Sequence, residues 1–121
     1  MRAKNIVYWI ATALVALAFI SGGLTWLMHL PEQVAGVTHL GYPLYFMNIV
    51  GVWKVLGGLA IVAPRMPRIK EWAYAGILFD LTGASASHAF SHDPGWKVAV
   101  PLVMTFILFL SWALRPDSRR L

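Results

Sequence analysis

The chain has 121 residues, 59% of them hydrophobic and only 12% charged, with a net charge of +5 and no cysteine. A soluble domain is about a quarter charged; here the apolar residues fall in long blocks, which indicates membrane spans rather than a soluble core. Without cysteine the chain itself has no thiol, disulfide or persulfide chemistry and no thiolate metal site. Its positive residues lie in short loops and tails beside apolar runs, a topology signal and not a nucleic-acid surface.

Met1 to Lys4 is basic, and Ile6 to Met28 forms the first apolar run. That run is longer than the apolar core of a secretory signal, so it is expected to stay in place as span one. Gly22 and Gly23 near its end favour a close helix approach. Residues 29–43 contain no Lys or Arg. Pro31 is predicted to open a short helix and Gly41 to close it. Val34, Val37 and Leu40 share one face of that helix, which suits it to the membrane surface. Span two is expected from about Leu44 to Ala63 and carries Tyr45, Asn48, Trp53 and Lys54, with Gly51, Gly57 and Gly58 on the Lys54 face. The basic segment from Pro64 to Arg68, with a proline at 64 and at 67, makes a tight turn.

Span three is expected from Trp72 to Phe90. Gly76, Asp80, Ala84 and His88 recur every four residues, with Gly83 and Ser87 beside them. Lipid would penalise such a small and polar stripe, so it should face the interior. After a turn at 91–95, span four runs from about Lys97 to Leu114, with Pro101 near its first turn, where a missing N–H is tolerated. Arg115 to Leu121 is a basic, polar tail. Four spans place both termini on one side. Most of the ten positive residues flank the termini and the turn between spans two and three, while the other two loops hold only Lys97. Both termini are therefore expected to be cytoplasmic.

Three constellations carry chemistry. Lys54 and Asp80 are strong charges inside neighbouring spans, both roughly 12–14 Å from the cytoplasmic surface. They are expected to meet, either as a buried ion pair that fixes helix register or as a pair that handles protons or polarises a ligand. His29, His39, His88 and His92, with Glu32 and Asp93, map to the opposite end. His88 and His92 are four apart, as in helical metal-binding pairs, with His29, His39 or Asp93 as the candidate third ligand; yet His92 lies at the helix end, nothing fixes the loop, and no metal is assigned. The same set also reads as a polar mouth to a small-molecule cavity, or as plain interfacial residues. Most of the tryptophans fall near span ends, as an aromatic belt does. Trp53 lies deep beside Lys54, where it can line a cavity for a flat ligand, with Tyr42, Tyr45 and Tyr74 as weaker candidates.

These segments also carry a resemblance. Leu40-Gly41-Tyr42-Pro43, Gly51-Val52-Trp53-Lys54-Val55-Leu56-Gly57, Lys70-Glu71-Trp72-Ala73-Tyr74-Ala75-Gly76, Phe79-Asp80-Leu81-Thr82-Gly83-Ala84, Ser87-His88 and Leu114-Arg115-Pro116 together resemble the DoxX-like family. The resemblance covers nearly the whole chain. It implies an all-α, integral four-helix membrane bundle of the inner (plasma) membrane. Better-known relatives of that family include a subunit of a thiosulfate:quinone oxidoreductase, components of membrane redox complexes and, more distantly, a receptor-assembly chaperone.

The expected function is thus a membrane protein that binds a small lipophilic ligand, with a quinone as the candidate cofactor, as a quinone-site or redox-complex subunit. Lys54, Asp80 and His88 would carry the chemistry, and Trp53, Tyr45, Asn48 and Ser87 would contact the ligand. Its partners would be the lipid bilayer, redox proteins and a second copy of the chain, and not nucleic acid. Two other readings stand beside it. One is a structural or assembly partner, in which the charges and small-residue faces only dock helices. The other is a small membrane enzyme using Asp80 or His88 as acid or base.

Overall fold

The computed structural model describes residues 2–119. Met1, Arg120 and Leu121, which the sequence assigns to the basic terminal segments, lie outside the described residues. The described chain is all-helical: α1 (Arg2–Leu27), α2 (Pro31–His39), α3 (Tyr45–Val62), α4 (Pro67–Phe90) and α5 (Gly95–Ala113), followed by a single 3-10 turn at Asp117–Arg119. Proline sets three of the starts. Pro31 and Pro67 occupy the first turns of α2 and α4, and Pro94 is the N-cap residue of α5, positions where the absent N–H costs nothing. Because Pro94 closes the preceding turn early, α5 begins at Gly95 and Pro101 falls inside the helix rather than in its first turn.

Three helical segments, Ala3–Leu27, Tyr45–Val62 and Gly95–Ala113, are long and apolar enough to cross a membrane. With 24 residues α4 is about 36 Å long and would also reach across. Its Gly, Ser, Thr and Asp residues keep it below the apolarity of the other three. Large apolar side chains stay exposed along the outer faces, including Ile10, Leu14 and Leu17 on α1 and Leu102, Val103 and Phe106 on α5.

Contacts between the long helices run from α1 to α3, α3 to α4, α4 to α5 and α5 back to α1. The α1–α3 crossing is the closest, and glycine makes it so. A Cβ on Gly23 would lie 2.7 Å from the Gly51 carbonyl oxygen and 2.7 Å from Val55 Cγ2, and one on Gly58 would lie 2.7 Å from Ile20 Cγ1. Each of these is inside van der Waals contact, so the two backbones approach only because the side chains are absent. The core is built from Val15, Ala16 and Phe19 of α1, Ile61 of α3, Tyr74, Ile77 and Leu81 of α4 and Leu108 of α5. A buried hydroxyl chain crosses it, from Thr12 Oγ1 to Ser111 Oγ (2.6 Å) and from Ser111 Oγ to Tyr74 OH (2.7 Å), so each of these three hydroxyls has a partner in the apolar interior.

The chain ends share one end of the molecule. Arg119 donates from Nε to Tyr8 OH at 2.7 Å and from an Nη to the carbonyls of Val62 and Ala63, each at 2.8 Å. Its guanidinium also lies over the Trp9 ring, 4.8 Å from the centroid. Lys70 is fully buried and donates to the carbonyls of Ala60 (2.7 Å) and Ala63. Two cations therefore cover the C-terminal carbonyls of α3, which no helical N–H reaches and where the helix dipole favours positive charge.

At the opposite end α1, α2 and α4 stop in the same way. His29, Gly41 and His92 take positive φ of 53°, 89° and 58°. The following N–H returns to the carbonyl five residues earlier: Leu30 to Thr25 (3.4 Å), Tyr42 to Val37 (3.2 Å) and Asp93 to His88 (3.0 Å). This is the Schellman arrangement, which satisfies carbonyls a helix end otherwise leaves open.

Candidate functional site

Helices α3 and α4 are joined by a tight turn, yet they diverge and leave a cavity of about 650 Å³ between them. The size suits a drug-sized or cofactor-sized molecule. The cavity follows the α4 stripe. Gly76, Asp80, Gly83, Ala84, Ser87 and His88 all line it, opposite Phe46, Val50, Trp53, Lys54 and Gly57 of α3. A side chain on Gly76 or Gly83 would meet no atom within 4 Å, so these glycines contribute open volume and not helix contact. Trp53, Trp72 and Phe79 stand at its edge and are about 70% exposed, at 68%, 70% and 72%.

Lys54 of α3 and Asp80 of α4 share this cavity, but they do not pair. Among the described residues no ion pair or hydrogen bond within 4 Å joins Lys54 to Asp80, contrary to the expectation that they meet. The reason lies in α1. The glycine crossing brings α1 against α3, and the Lys54 ammonium lies over the Trp26 ring at 4.1 Å from its centroid and near the Phe19 ring at 5.5 Å. These ring faces attract the cation electrostatically. Asp80 remains on the other wall, that of α4.

The end of the cavity away from Arg119 is roofed by α2, whose Val37 and Leu40 line the cavity. Tyr42 stacks on Phe46, with centroids 4.3 Å apart and planes 7° from parallel, and its hydroxyl meets Ser87 Oγ at 2.7 Å. Asp93 bridges two histidines: Oδ2 lies 2.6 Å from His88 Nδ1 and Oδ1 lies 2.6 Å from His39 Nε2. Local backbone causes this bridge. The left-handed turn at His92 folds Asp93 back over the end of α4, directly onto His88. Accepting from His88, and next from His39, holds the Asp93 carboxyl below the usual carboxylate range.

Of the residues picked from sequence, Lys54, Asp80, His88, Trp53 and Ser87 line the cavity. Tyr45 and Asn48 do not. Tyr45 is 66% exposed, and Asn48 uses its Oδ1 to hold His29 Nε2 at 2.8 Å. Both lie on the far side of α3: relative to Lys54 they are turned by roughly 180° and 240° on a helix of 3.6 residues per turn. His88 and His92 do not form a pair either. His92 is exposed in the left-handed turn, and His88 bonds Asp93 instead. Sequence reasoning missed Trp26 and Phe19 as the seat of Lys54, the Tyr42–Ser87 bond and the role of Asp93.

The DoxX-like family model matches residues 10–112 of this chain. The chain belongs to the DoxX-like family. A similar sequence to this DoxX-like protein is "Uncharacterized protein YdgD" of Bacillus subtilis (strain 168), 33% identical over 97 residues, which cover 80% of this chain and 84% of that protein. No solved structure matches the chain.

Proposed function

We propose that this DoxX-like protein is a multi-pass protein of the plasma (inner) membrane that binds a small lipophilic molecule, of the quinone type, in the cavity between α3 and α4. The observation that carries the proposal is the composition of that cavity: about 650 Å³ with aromatic and aliphatic walls, into which a few polar groups converge, Lys54, Asp80, Ser87 and His88. Neither Lys54 nor Asp80 makes a hydrogen bond or close ion pair among the described residues. A ring bearing carbonyl or hydroxyl oxygens supplies an acceptor to the ammonium and a donor to the carboxylate. Buried polar groups of this kind favour ligands that complete their bonds.

The membrane arrangement belongs to the same proposal. Four helices, α1, α3, α4 and α5, cross the bilayer as a bundle; α4 qualifies because its polar stripe faces the cavity and not lipid. The chain termini are cytoplasmic, following the positive-inside rule, and α2 lies at the outer surface. A role as a quinone-site subunit working with redox proteins is the setting in which such a cavity serves. The test is a titration of the full chain in lipid nanodiscs with a short-chain quinone, followed by tryptophan fluorescence. Trp53 and Trp72 on the wall should be quenched saturably. A linear, non-saturating response would refute the proposal.

A further inference from the structure

We infer that His39, Asp93 and His88 form a proton relay between the cavity and the water at the outer end of the molecule, with Asp93 as its central carrier. The inference rests on the reading of the cavity as a site for a lipophile with an ionisable ring hydroxyl, and it assigns to that site a route for the hydroxyl proton.

The geometry is continuous. His88 lines the cavity, and its side chain is 24% exposed. Its Nδ1 is 2.6 Å from Asp93 Oδ2, and its Nε2 makes no hydrogen bond among the described residues. The Asp93 side chain is only 7% exposed. Its other oxygen is 2.6 Å from Nε2 of His39, whose side chain is 53% exposed. A group facing the ligand, a shielded carboxylate and a group in water thus follow one another at hydrogen-bond distance. An imidazole carries a proton in on one nitrogen and out on the other.

The proton balance closes. The ligand O–H gives its proton to His88 Nε2 and the ligand becomes an anion. The hydrogen on His88 Nδ1 passes to Asp93 Oδ2, and rotation of the carboxyl group brings it to the His39 side. His39, which rests with its Nε2–H donated to Asp93, first exchanges tautomers through water so that Nδ1 carries the hydrogen and bare Nε2 faces the carboxyl. Nε2 then accepts the proton and the Nδ1 hydrogen leaves to water, which restores the resting tautomer of His39. Because both histidines donate to the Asp93 carboxyl and hold it below the usual range, the carrier is an anion at rest. It is an anion again after each transfer, and His88, left with its hydrogen on Nε2, regains the Nδ1 hydrogen by tautomer exchange through water before the next one.

Other charged groups nearby stand apart from this line. Asp80 lies two helical turns along α4 from His88, and Lys54 is on α3 against Trp26. Glu32 and His92 are exposed, His29 bonds Asn48, and Lys97 lies by Trp96. None of them hydrogen-bonds to the three relay residues. Neither His39 nor Asp93 lines the cavity, so their replacement separates proton movement from ligand binding.

The experiment uses the full chain in nanodiscs and an alkylated hydroxynaphthoquinone, whose ionised form is coloured. A stopped-flow pH jump follows ionisation of the bound probe. In Asp93→Asn and in His39→Gln the relaxation should slow by about 100-fold, the low end of what a positioned acid–base group contributes, with Kd unchanged. His39→Gln still donates to Asp93, so α2 stays docked and the variant reports the relay alone. Relaxation at the wild-type rate in His39→Gln would overturn the relay while leaving the cavity reading intact. Acceleration in both variants would also overturn it, since the cluster would then be a lid that excludes water. Absence of saturable binding in the wild type would remove the cavity reading and the relay with it.

Discussion

Glycine does two opposite things in this molecule, and substitution separates them. Gly83 lines the cavity, and a side chain built there meets no atom within 4 Å. Gly83→Leu should therefore fold well: replacing a mid-helix glycine removes a penalty of roughly 0.5–1 kcal/mol. The new side chain instead occupies part of the roughly 650 Å³ that a ligand would use. If a bound quinone must compress or shift around it at the usual overpacking cost of about 1–3 kcal/mol, affinity falls by about 5- to 150-fold. Gly23→Ala should do the reverse. Its Cβ would lie 2.7 Å from the Gly51 oxygen and from Val55 Cγ2, so α1 and α3 must part, at about 1–3 kcal/mol of stability. Its stability is the discriminating readout, because the same crossing seats Lys54 against Trp26 at the cavity wall. The assay pairs SDS titration in mixed micelles, read by circular dichroism, with quinone binding normalised to folded protein. The reasoning fails if Gly83→Leu loses as much stability as Gly23→Ala, or if it binds quinone as the wild type does.

Lys54→Met should lose only the ring contacts with Trp26 and Phe19, about 0.5–2 kcal/mol in the same SDS titration, because there is no close ion pair to break, while quinone affinity drops at least about tenfold, near 1.4 kcal/mol. Arg119→Leu leaves the Val62 carbonyl and Tyr8 OH without this donor and the Ala63 carbonyl with Lys70 alone, and hydrogen bonds to a charged group are worth about 1.5–3 kcal/mol each; a loss of at least about 2 kcal/mol is expected in SDS titration, and none would contradict the capping role. Because the Asp93 carboxyl is depressed in the folded protein, its contribution to docking α2 is complete above the ordinary carboxylate value and lost as pH falls through the folded value, below about pH 4. Hydrogen exchange across residues 31–41 should therefore accelerate in acid in the wild type and show no such acid limb in Asp93→Asn. His92→Gly relieves a left-handed, non-glycine residue and should add about 1 kcal/mol of stability without altering the Asp93 bridge.

Much of this was legible in the sequence because it is periodic. The α4 stripe could be read from a four-residue recurrence, and its members do share one wall. Pro31 and Gly41 marked the ends of α2 and Pro64 that of α3, whereas α4 already starts at Pro67, inside the expected turn and before the expected Trp72. The error over Tyr45 and Asn48 was avoidable, since counting 100° per residue from Lys54 places both on the opposite side of α3. The unpaired state of Lys54 was not readable. Its ammonium is drawn to Trp26, 28 positions earlier in the chain, by a helix crossing that depends on how Gly23 meets Gly51. Asp93 could be placed with the histidines but not paired with His88, because only the left-handed turn at His92 brings it back, and histidine, unlike glycine, does not announce such a turn.

The seating of Arg119 also bears on how the molecule is made. The carbonyls it covers at the end of α3 are finished when Ala63 is added, yet the guanidinium arrives 56 residues later. Until then that helix terminus must be tended by water, headgroups or Lys70 alone. The closure that ties α1, α3 and the tail together is thus a late event of biogenesis, and a fusion placed against residue 119 would interfere with assembly before it could interfere with binding.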